Sequence, residues 1–148
     1  MFKNESLSEG KTSKSVSRLY AVQALFQMES GNISLDKVQL EFEQFRDKEN
    51  NELNNFVRAD LILFRKILDE SIKNQTFINK SIIASLKDGW PIERIDPILR
   101  SIFRAATAEL LLETPPKVVI NEFLDIAKAF FPAGSECKLA NGMLDSLA

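Results

Sequence analysis

At 148 residues, with 45% hydrophobic and 27% charged side chains, the chain suffices for one compact domain and is too apolar for disorder. It has no histidine and a single cysteine, Cys137, which excludes His-dependent triads, His-ligated or Cys-rich zinc and an internal disulfide. The formal net charge of −2 argues against stand-alone binding to nucleic acid, where neutralising phosphates supplies most nonspecific affinity. Any such role must use a local patch, a basic partner, or both.

Cys137 has no His or second Cys to activate it, and the carboxylates are scattered as surface acids. No active site, metal or cofactor is therefore expected. No window approaches the roughly 18 consecutive apolar residues of a membrane span. Residues 1–17 are polar, with Lys3, Asn4, Glu5, Ser6 and Glu9, and lack a signal peptide's apolar block. The expected location is the cytoplasm.

In chain order, residues 1–14 contain Gly10 and are expected to form a flexible polar tail. A helix is expected over 15–29, with Leu19, Val22 and Phe26 on one stripe and Ala21, Ala24, Leu25 and Met28 beside it. Its small alanines suit close packing, and Gly31 falls where a left-handed cap is needed. A second helix over 34–48, with Ser34 as N-cap, turns Leu35, Val38, Phe42 and Phe45 inward. Its other face carries Asp36, Glu41, Glu43 and Asp47, and reads as a solvated surface. After the polar run 49–55, a long helix places Val57, Leu61, Phe64, Leu68 and Ile72 at spacings of three or four. A shorter helix over 77–86 offers Ile78, Ile82 and Ile83. Gly89 interrupts, and Trp90-Pro91 is expected to anchor the next turn to the core.

Asp96-Pro97 is a helix start, since Asp caps free amides and Pro suits a first turn that needs no donor. The helix over 98–111 has Leu99, Ile102, Phe103, Ala106 and Leu110 as its stripe, with Arg100 and Arg104 on the flank, expected in internal ion pairs. Pro115-Pro116 ends it and starts another over 116–131, with Val119, Phe123, Ile126, Ala127 and Phe130 inward. Pro132 and Gly134 break that one. Ser135 is expected to cap a last helix through Ala140, Met143, Leu144 and Leu147, with Gly142 as a close helix–helix contact. No strand alternation, internal repeat or glycine-rich phosphate loop is present. The fold class is all-α, with about seven helices in a bundle.

Four stretches resemble the NusB family in content, order and separation: SRLYAVQALFQME (17–29), ILRSIFRAATAELL (98–111), PKVVINEFLDIAKAFF (116–131) and LANGMLDSLA (139–148). The pairing of Pro-x-Val-x-Ile-Asn-Glu at 116–122 with Asn-Gly-x-Leu-Asp at 141–145 is specific. The resemblance covers nearly everything from residue 15 onward. It implies two packed, three-helix-bundle-like subdomains, about 15–75 and 76–148. It also implies transcription antitermination, through binding to boxA RNA of ribosomal RNA operon transcripts together with the ribosomal protein NusE. Other Nus factors and RNA polymerase would complete that complex.

Carried onto this chain, the family's arginine-rich helix start corresponds to Lys14 and Arg18, with Lys11 upstream. Lys14 and Arg18 are four apart and so share a helix face, and their chemistry suits phosphate. This stretch is less basic than the family's, because Ser13, Ser15 and Ser17 occupy much of it. Phe26 stands where the family places an RNA-touching tyrosine, and an aromatic face can stack on an unpaired base; its stripe equally suits a core residue. Ser135 and Lys138 correspond to a second RNA-proximal loop, although GSEC departs from the family's sequence there. Glu109, Asn121 and Glu122 match family signatures and are read as structural, satisfying helix ends or bridging helices. Two other readings stay open: a helical protein-binding module without RNA contact, and a homodimer that hides its RNA face.

Overall fold

Thr12 sets the start of the first helix: its Oγ1 accepts from the Ser15 amide at 3.2 Å, so α1 spans Ser13–Gly31 and begins earlier than expected. The structure is a computed structural model that describes residues 12–46, 58–86 and 91–148. Every residue from Val16 to Leu25 is buried. A helix covered on all sides belongs in the middle of a fold, and the alanines at 21 and 24 let its neighbours approach. The left-handed residue that ends α1 is Asn32 (φ 51°), not Gly31, since the helix runs one residue further than its last apolar position suggests.

Ser34 caps α2 (Leu35–Glu41) by accepting from the Lys37 amide at 3.3 Å. At Phe42 the expected long helix changes to a π-helical turn over Phe42–Arg46. Phe42 is fully buried, with its ring centroid 5.4 Å from Tyr20 and 5.5 Å from Phe64, and the Arg46 guanidinium lies 4.6 Å over its outer side. The Phe45 side chain, Val57 and Trp90, all expected in the core, lie outside the described residues.

Asp60 joins α3 (Leu61–Lys73) to α1. Its carboxylate accepts from the amides of Ile62 and Leu63, its own amide donates to Ser13 O at 3.2 Å, and its carbonyl accepts from Ser17 Oγ at 2.6 Å. Phe64, Ile67 and Leu68 are buried, whereas Ile72, in the last turn, is exposed. Asn74 alone separates α3 from α4 (Gln75–Ser85), which buries Ile78 and Ile82 and leaves Phe77 and Ile83 exposed.

A 3₁₀ turn over Ile92–Arg94 precedes α5 (Pro97–Leu111), where Asp96 caps the Ile98 amide at 2.8 Å as the sequence predicts. Like α1, α5 is buried nearly all round, from Leu99 to Glu109 except at Arg100 and Arg104. Then come α6 (Pro116–Phe130) and α7 (Ser135–Leu147), the latter entered through Gly134 at φ 112°, a conformation glycine adopts without steric cost. Gly134 holds the cap position, so Ser135 is the first residue of α7 and not its cap. The described residues thus form seven α-helices and no strand. Helix α1 packs on α2, α3, α5 and α6, and α5 packs on α1, α3, α4, α6 and α7. These two are the spine. No helix among the described residues is long and apolar enough to cross a membrane.

Gly142 is not the close contact its place in an apolar pattern suggests. It is exposed in the middle of α7, and a Cβ built there meets nothing within 4 Å. Glycine in a helix interior costs about 0.5–1 kcal/mol relative to alanine. Gly142→Ala should therefore raise unfolding stability by roughly that amount, read as a higher urea midpoint at unchanged slope.

Candidate nucleic-acid interface

The spine helices meet through charge at one end. Arg18 of α1 donates from Nε and Nη2 to both oxygens of Glu109 on α5, at 2.7 Å each, and from Nη1 to Glu122 Oε1 on α6 at 2.8 Å. Glu109 is fully buried and Arg18 is 5% exposed. Ser15 Oγ adds a 2.6 Å hydrogen bond to Glu122 Oε1, which brings a fourth group into the network. Burial alone lowers the pKa of Arg18, but the hydrogen bonds and charge of Glu109, then those of Glu122, outweigh it and leave the pKa raised. A raised arginine pKa means that the stability Arg18 gains from its charge is complete below the ordinary arginine range and is lost as pH rises into strong alkali.

Lys14 and Arg18 share a face, as their spacing requires, but lie at different depths. Both line a cleft of about 640 Å³ with Thr12, Leu63, Thr114 and Asn121. Lys14 is exposed there, while all three Arg18 nitrogens serve carboxylates. Lys11 lies outside the described residues. Glu122 bridges α6 to α1, the helix-bridging role expected of it.

Phe26 is half-buried, about 18 Å along α1 from Lys14 at the helical rise. One turn beyond, Glu29 takes hydrogen bonds from Arg100 and Arg104, so the two arginines expected in internal pairs clamp the far end of α1 to α5. Ser135 and Lys138 line a second cleft of about 660 Å³, formed by the end of α4, the 3₁₀ turn, the start of α5 and α7. The two clefts have no lining residue in common. The expected contact residues thus fall at opposite ends of the spine: Lys14 at one, Ser135 and Lys138 at the other. Arg94, in the second cleft, escaped the sequence reading, because a lone arginine in an irregular turn carries no periodic signal.

These features define a helical protein with cation-bearing clefts at the two ends of a buried two-helix spine. The NusB family profile matches residues 15–148. The transcription antitermination protein NusB of Granulibacter bethesdensis is 40% identical over 142 residues, covering 91% of this chain and 86% of that one. That of Caulobacter vibrioides is 39% identical over 137 residues, covering 91% of each. Among solved structures, T. maritima NusB superposes with a TM-score of 0.73 at 28% identity, over 91% of this chain and 89% of that one. The chain belongs to the NusB family. On that membership it is not an enzyme.

Replacing Arg18 with alanine would leave Glu109 buried without a counter-charge. Arg18→Ala should lower unfolding free energy by about 3–5 kcal/mol in urea titrations. The loss should be the same across neutral pH, because Arg18 does not titrate there.

Proposed function

We propose that the chain is a cytoplasmic transcription antitermination factor that binds boxA RNA of ribosomal RNA transcripts together with NusE. In that pairing it joins other Nus factors on RNA polymerase. Family membership over residues 15–148 carries this reading. Two features of the chain support it: Lys14 and Lys138 are exposed without intramolecular ion pairs among the described residues, and Phe26, on the same helix as Lys14, is only half-buried.

Within this reading Lys14, with Lys11 upstream, supplies phosphate contacts, Phe26 a stacking surface, and Ser135 and Lys138 a second set of contacts. Arg18 acts through position: its bonds to Glu109 and Glu122 fix the helix start that carries Lys14. A net charge of −2 leaves the isolated chain a weak RNA binder, so the partner supplies part of the positive surface.

Titrating labelled boxA RNA and a scrambled control, with and without NusE, tests the proposal. Preference for boxA that tightens sharply with NusE is expected. Equal binding of the two RNAs in the presence of NusE overturns the reading. Lys14→Ala should weaken binding several-fold and reduce the slope of log affinity against log salt by about 0.7, the value for one phosphate contact on a single strand.

A further inference from the structure

The far end of the spine carries a network that the expected contacts leave unused. Arg100 lies on the flank of α5 with only 12% of its side chain exposed, and its guanidinium serves two elements at once. Nη1 donates to the carbonyl of Ile95 at 2.7 Å, and to those of Glu93 and Ile92 at 3.4 and 3.5 Å. Nη2 donates to the Glu29 carboxylate on α1. Glu29 also takes Arg104 Nη1 at 2.8 Å, and Arg104 Nε reaches Asn79 on α4 at 3.2 Å. One cluster therefore ties the end of α1, the 3₁₀ turn and α4 to adjacent turns of α5.

The elements tied together are those that carry the expected contacts. Phe26 lies three residues before Glu29, about 4.5 Å along α1 at the helical rise. Ile95, whose carbonyl takes the shortest Arg100 bond to the turn, lines the second cleft with Ser135 and Lys138. The turn's own backbone bonds, Arg94 N to Pro91 O and Ile95 N to Ile92 O, are both 3.1 Å long. Bonds of 3₁₀ geometry hold a turn weakly, so a side chain that fastens it to α1 matters. Charge does not require Arg100 here. Arg104 already answers Glu29, which is one-third exposed, and pairs in such partial solvent contribute little net stability. What Arg100 adds is shape: a planar fork with donors aimed two ways, where lysine offers a single point.

We propose that Arg100 is a positioning residue for RNA binding, holding Phe26 and the contacts across the second cleft at one fixed spacing for a single strand. The inference rests on the RNA-binding reading above and gives Arg100 itself no contact with RNA. Two contacts on a rigid frame reinforce each other, because the first raises the effective concentration of the second. On a loose frame, ordering the protein offsets that gain.

The test is fluorescence anisotropy of labelled boxA RNA with the full chain and NusE, over a range of salt, in wild-type and Arg100→Lys backgrounds. Arg100→Lys keeps the charge and loses the fork. It should weaken binding about fivefold at unchanged salt slope, because no phosphate contact is removed. Its urea midpoint should stay near that of wild type, while hydrogen exchange at the Arg94 and Ile95 amides quickens. In the wild-type background, Phe26→Leu and Lys138→Ala combined should cost about threefold less than the product of their separate losses. In Arg100→Lys those losses should multiply. Multiplying losses in the wild-type background overturn the inference, as does wild-type affinity in Arg100→Lys. A lower salt slope in Arg100→Gln, fully rescued by Arg100→Lys, makes Arg100 a phosphate contact and overturns it as well. So does a loss of binding matched by an equal loss of folded protein. Wild-type protein that binds scrambled RNA equally well sinks the underlying reading instead, and the inference with it.

Discussion

The architecture depends on one arginine held between two carboxylates from different helices. Arg18 meets Glu109 in a two-bond fork and reaches Glu122 with its remaining nitrogen, so α1, α5 and α6 are fixed at a single crossing. Taking such charges out of water costs several kcal/mol per ion, and an apolar trio of equal volume could match the network in net stability. What an apolar trio lacks is register. Sliding α1 by one turn, about 5.4 Å, would strand a buried glutamate and a buried arginine together. The apolar core these helices share, with Leu19, Phe103 and Phe123 fully or almost fully buried, can then be tight without being ambiguous.

A second clamp at the other end of the spine works by the same logic in partial solvent. Glu29 is shared between Arg100 and Arg104, and Arg104 also reaches Asn79 on α4. The spine is thus pinned near both ends, with small residues and aromatics between. Arg100 then extends the clamp to the carbonyls of the 3₁₀ turn. The positions of the two clefts relative to each other follow from this pinning, because both are built on the ends of α5.

Much of this was legible in the residues. Helix starts with strong local chemistry, such as Ser34 before α2 and Asp96-Pro97 before α5, fell where expected, because a capping side chain acts within three residues. Less legible was what depends on neighbours. The stripe read on α1 understated its burial, since one-sided periodicity does not reveal a helix wrapped on all sides. The change of pitch at Phe42 involves Tyr20 and Phe64, which are distant in sequence. The resemblance and the four-residue spacing from Lys14 point to Arg18 as a phosphate-contacting cation, whereas its side chain is buried. Its place in Val16-Ser17-Arg18-Leu19-Tyr20, and that of Glu109 after Ala105-Ala106-Thr107-Ala108, was the available sign: an isolated charge inside a small or apolar run needs a partner from another helix. Gly142 misled for the opposite reason, because an apolar pattern around a glycine does not say which way its bare face points.

The joint at Asn74 has a mechanical consequence. With one residue between α3 and α4, the Asn74 amide bonds Glu70 O at 3.0 Å and its carbonyl accepts from the Ile78 amide at 2.9 Å, so hydrogen bonding continues across the joint. The Asn74 side chain also bonds the Glu70 carboxylate. A loop would absorb strain; this joint transmits it. The two helices act as a cranked rod whose one end, at Asp60, is tied to the start of α1, while the other, at Ser85 and Leu86, forms a wall of the second cleft. Leu63, in the first turn of α3, lines the first cleft, so this one jointed pair of helices supplies a wall to each cleft.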